Sequence, residues 1–67
     1  MNKKEFRIEM LKNEDTYKSL AEYLGISSQS VSNKVNENGT EFNREEIKKI
    51  TLRWKLSAER LMVIFFN

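Results

Sequence analysis

Apolar positions along the chain recur at helical spacing, and each run is bounded by residues that start or stop helices. Phe6 and Met10 stand four apart with Leu11 beside them. Asn2 precedes them as N-cap and Glu5 holds the capping-box position, so a first helix is predicted over Lys3–Lys12. Asn13 to Asp15 is a polar break. Thr16 then caps a second helix, Tyr17–Leu24, with Leu20, Ala21 and Leu24 as its apolar stripe. Gly25 supplies the positive φ of a helix C-terminus without a Cβ penalty, and Ile26 turns inward. Ser27 caps a third helix, about Ser28 to Asn36, anchored by Val31 and Val35. The stretch NENGTEF reads as a loop turning at Asn38-Gly39. Asn43 and Glu46 form another capping box ahead of Ile47, Ile50, Thr51 and Trp54, at i, i+3, i+4 and i+7, which predicts a fourth helix near Arg44–Trp54. Leu56 tucks in across a short connection, and Ser57 caps a last helix carrying Ala58, Leu61, Met62 and Phe65 on one face. No segment alternates with period two, and no repeat or low-complexity tract occurs. The fold class is all-α, five short helices in a single domain, 1–67.

The second and third helices, with the turn between them, carry the most information. Small Ala21 lets the third helix cross close to the second, and such a helix–turn–helix presents its second helix to the major groove of DNA. The order of signals resembles the lambda-repressor-like, Cro-type helix–turn–helix family of phage and bacterial transcriptional regulators. The likeness covers Thr16 to Leu61 and is strongest in LAEYLGISSQSVS, Leu20 to Ser32, as LA-x-x-LGIS-x-x-x-VS. IKKITLRWKLSAERL, Ile47 to Leu61, resembles the family's closing helices, hinged at Leu56-Ser57. The resemblance implies a small operator-binding regulator of phage or prophage type. The chain departs from that pattern in three places. Tyr17 stands where the family usually has a phosphate-touching Gln, Glu14 and Asp15 just before it would repel a DNA backbone, and Trp54 replaces a small residue as added core volume.

Composition narrows the function classes. Twelve Lys and Arg against ten Asp and Glu leave a net charge of +2, weak evidence for a nucleic-acid partner. Its distribution says more: from Gly25 to Asn36 there is no acidic residue, while Lys34 is present. Cys and His are both absent, which removes disulfides, thiolate zinc sites, and the commonest metal ligand and general base. The serines of the third helix thus have no His to activate them. With only two glycines, no phosphate-cradling loop can be built, so neither enzyme, metal nor cofactor is expected. The longest apolar run, Leu61 to Phe66, falls far short of the roughly 20 residues that span a bilayer. The polar N-terminus lacks a signal-peptide h-region, so a cytoplasmic protein with no membrane association is expected.

Rotating the third helix by about 100° per residue places Val31 and Val35 inward and Asn33 opposite their midpoint. Gln29 and Asn36 flank Asn33, while Ser28 points forward along the axis. Asn and Gln can each pair bidentately with adenine, and Ser donates or accepts. The family's base-reading positions match Ser28, Gln29, Ser32 and Asn33 here, so geometry and resemblance agree on Gln29 and Asn33. The expected phosphate contacts are Tyr17 and Lys18 at the second helix's N-terminus, Lys34, Asn36, and Asn38, Thr40 and Arg44 from the loop. About three cationic contacts per subunit give a salt slope near −3 per half-site.

One recognition helix reads few base pairs, so a homodimer on paired half-sites is expected. Val63 and Phe66 lie off the last helix's stripe and Leu52 off the fourth's, which nominates these three as the dimer interface. The main rival is a protein-interaction module of the same fold, an antitoxin or antirepressor, favoured by the modest charge and the Glu14-Asp15 pair. The chain as the DNA-binding half of a longer repressor is a second rival, disfavoured by the apolar ending Phe65-Phe66-Asn67. RNA binding is a third, and it lacks exposed stacking aromatics.

Overall fold

Every helix begins where a side chain satisfies an otherwise orphaned backbone N–H. In the computed structural model, which describes residues 1–66, α1 (Lys3–Lys12) starts where the Glu5 amide donates to Asn2 Oδ1 at 3.1 Å. Thr16 caps α2 (Tyr17–Leu24) in a reciprocal box with Ser19, and Ser27 caps α3 (Ser28–Val35) by accepting from the Ser30 amide. Asn43 and Glu46 close the expected box on α4 (Arg44–Trp54), and Ser57 caps α5 (Ala58–Phe65). Gly25, at φ 76, ends α2, and its N–H donates to the Ala21 carbonyl at 2.8 Å. The fold is all-α, five helices with no strand among the described residues.

The core gathers around Phe6, which is fully buried on α1. Its ring lies 5.5 Å from Phe42, 5.1 Å from Trp54 and 6.1 Å from Phe65, centroid to centroid, within the range of favourable aromatic contact. Leu20, Val31, Val35, Ile50 and Ile64 complete the fully buried set. Phe42 enters this core from the α3–α4 loop, a position without helical periodicity to announce it.

Two faces differ from the expected pattern. On α5 the buried residues are Ile64 and Phe65 with Leu61 half-buried, whereas Ala58 and Met62 are exposed. Leu61, Ile64 and Phe65 form an alternative i, i+3, i+4 stripe, and Arg60 lies on its Ile64 side, its guanidinium spanning to α1 to bond Glu5 Oε1 at 3.0 Å and Glu9 Oε2 at 2.9 Å. The Asn2 N–H donates to the Ile64 carbonyl at 2.7 Å. On α1 the second difference follows from the first: Glu9 is buried facing Arg60, and Leu11 is left 71 % exposed.

Candidate nucleic-acid interface

The N-terminus of α2 is held by a carboxylate that sequence reading set against DNA. Asp15 is only 6 % exposed, and both oxygens are fully engaged. Oδ1 accepts from Ser19 Oγ at 2.7 Å and Arg53 Nη2 at 2.8 Å; Oδ2 accepts from Arg53 Nε at 2.9 Å and Trp54 Nε1 at 2.6 Å. The Arg53 guanidinium, reinforced by the Trp54 and Ser19 donors, outweighs the burial and holds the Asp15 carboxyl well below the usual carboxylate range. Arg53 also lies 4.6 Å over the Tyr23 ring, and the Tyr23 hydroxyl donates to the Lys49 carbonyl. α2 is thereby fixed to α4, and the charge of Asp15 is neutralised in place. Trp54 fills core volume as expected and adds an N–H donor to this cluster.

Beside that cluster a groove opens between three elements. α1 contributes Arg7, Met10 and Leu11; the start of α2 contributes Thr16, Tyr17 and Lys18; α3 contributes Ser28, Gln29 and Ser32, with Asp15 on the floor. Ser28 and Gln29 are exposed, and Ser32 and Asn33 are half-buried on the same helix. Gln29 Nε2 donates to Asn33 Oδ1 at 3.1 Å, so the two amides are already linked along the face. Arg7 and Lys18 are exposed and have no ion-pair partner among the described residues.

The expected phosphate set separates. Tyr17 and Lys18 line this groove. Lys34 does not: its ammonium is half-buried, 3.1 Å from Glu46 Oε1 and 3.3 Å from the Glu41 carbonyl. Asn36 caps α3, donating to the Ser32 carbonyl and accepting from Lys3 Nζ. Asn38 and Thr40 are exposed on the far loop, where Thr40 sits among Glu37, Gly39 and Glu41. Arg44 lines a different groove with Leu52 and Phe66. Of the expected interface trio, Leu52 and Phe66 therefore share one concavity, while Val63 is half-buried and lies outside its lining.

Arg7 and the Asp15–Arg53–Trp54 cluster were not anticipated. Arg7 follows buried Phe6, which fixes it near the rim of α1, but only the packing of α1 beside α2 and α3 brings it to this groove. Among the described residues no cluster of three His, Cys, Asp or Glu side chains forms, and no helix is long and apolar enough to cross a membrane. Comparison with protein-family models, curated proteins and solved structures yields no match to this chain.

Proposed function

We propose that this chain is a sequence-specific double-stranded DNA-binding regulator. In this reading the domain is lambda-repressor-like, and α2, Gly25–Ser27 and α3 form its helix–turn–helix. One observation carries the reading: the uncharged amide and hydroxyl face of α3 opens on a groove rimmed by two unpaired cations, whose only carboxylate is already neutralised. α3 enters the major groove. Gln29 and Asn33 read base edges, with Ser28 and Ser32 as adaptable partners. Lys18 and Arg7 meet phosphates on either side, aided by the Tyr17 hydroxyl and the N-terminal amides of α2. Two copies on neighbouring half-sites about 34 Å apart double the number of bases read, and this pairing belongs to the proposal. Occupancy of an operator then blocks or recruits polymerase.

The test is fluorescence anisotropy against random and selected duplexes at several salt concentrations. With Arg7 and Lys18 as the cationic contacts, log affinity should fall with log salt at a slope of about −2 per half-site. Arg7→Ala should weaken all sequences alike and make that slope shallower by about 1. Asn33→Ala should instead reduce discrimination at one base pair by about 1–3 kcal/mol and leave random-duplex affinity nearly unchanged. Absent binding at low salt, or binding indifferent to salt, overturns the reading. That outcome would favour a protein-interaction module, a reading supported by the exposure of Leu11 beside Met10 and Tyr17 in the same groove.

A further inference from the structure

A second groove lies away from α3, between α4 and α5. Ile47 and Leu61 form its floor, Leu52 and Phe66 its walls, and Arg44 and Lys48 its rim. Leu52 is 67 % exposed and Phe66 61 %, so two large apolar side chains flank a concave, largely apolar strip. Among the described residues no carboxylate lines it, and neither rim cation has an ion-pair partner. We infer that this groove docks an acidic amphipathic segment of another protein, with apolar anchors between the Leu52 and Phe66 walls and carboxylates against Arg44 and Lys48. Concavity matches a rod-like segment laid along the strip. The charge selects its sign, because cations on the rim attract acidic flanks and repel basic ones.

The same charge argues against a second copy as occupant. An isologous contact on this strip would bring the Arg44 and Lys48 rims of two copies into one interface, with no carboxylate among the described lining residues to offset the four like charges. An acidic apolar segment fits this strip better than a phosphate backbone, because it engages the Leu52 and Phe66 walls as well as the Arg44 and Lys48 rim, whereas phosphate engages the rim alone. The groove shares no lining residue with the α3 face, so peptide docking and base reading are tested separately, whereas a dimer through Leu52 and Phe66 would compete with the peptide.

The experiment uses the full chain, isotopically labelled and free of DNA. It is titrated with a synthetic amphipathic peptide of about fifteen residues, four helical turns. The peptide carries Leu and Phe on one face and Glu on both flanks, and its counterpart has Lys in place of Glu. The acidic peptide should shift the amide resonances of Lys48, Thr51, Leu52 and Phe66 and bind at least about tenfold tighter than the basic one at low salt. Arg44→Glu combined with Lys48→Glu should invert that order, and Leu52→Ala should weaken the acidic peptide about fivefold while the melting curve stays unchanged. The proposal is overturned if neither peptide binds, if both bind alike, or if the shifts fall on α3. It is equally overturned if the protein sediments as a dimer that Leu52→Glu dissociates, or if anionic vesicles shift the same resonances as strongly as the acidic peptide.

Discussion

At Asp15 four donors converge on one buried carboxylate, and the consequence is a defined acid sensitivity. In the unfolded chain this group titrates at about 3.8, whereas in the fold it stays ionised well below that. The stability it contributes is therefore fully present above about pH 4 and is lost as pH falls further toward the folded value. Thermal melts should show a falling midpoint below about pH 4, and Asp15→Asn should flatten that dependence. At neutral pH the same substitution should cost about 2–3 kcal/mol, below the range for fully buried pairs because Arg53 remains one-third exposed to solvent. A pH dependence in Asp15→Asn equal to that of the parent chain would remove Asp15 from this role. Lys34 shows the opposite side of the same chemistry. From sequence it is one more surface cation; in the fold it is paired with Glu46, because the capping box on α4 presents that carboxylate toward α3. Charge partners separated by a dozen or more residues are set by packing, and this is why the pairing of Lys34 was not legible in the sequence.

Elements were legible where their determinants are local. Asn2, Thr16, Ser27, Asn43 and Ser57 each precede a periodic apolar run, and each caps the expected helix. Gly25 was legible for the same reason, since a left-handed C-terminus is a requirement of one residue. The rotation of α5 was not legible. Its apolar residues allow more than one inward stripe, and which one is buried depends on contacts with a helix at the other end of the chain, where Arg60 meets Glu5 and Glu9 and Phe65 meets Phe6. The end of α4 supplies a check on this local logic. Lys55 terminates it at φ 53, a left-handed position for a residue with a Cβ, and its N–H donates to the Thr51 carbonyl. Lys55→Gly removes that strain, and its side chain makes no ion pair that would be lost among the described residues. The substitution should raise stability by about 0.5–1 kcal/mol in denaturant melts. A decrease would mean that the Lys55 side chain contributes a contact outweighing the backbone gain.

At the scale of the whole molecule, one ring joins what the helices separate. Phe6 reaches Phe42 from the loop, Trp54 from α4 and Phe65 from α5, while Trp54 in turn binds Asp15 at the entry to α2. The proposed DNA-reading face and the α4/α5 groove thus hang on a shared core, and neither can loosen alone. A chain of 67 residues has a stability of about 3–10 kcal/mol by the usual per-residue scale. Truncating a buried Phe to Ala costs about 3–5 kcal/mol, and the aromatic neighbours here place Phe6 in the upper part of that range. Phe6→Ala should therefore leave much of the population unfolded at 37 °C, and with it both of the proposed binding surfaces. Phe6→Leu restores most of the volume and should recover most of the fold. Circular dichroism in urea distinguishes this from local damage: a single cooperative transition shifted to lower denaturant is expected. A variant that kept its helicity and lost only one of the two binding activities would show instead that the faces are supported separately.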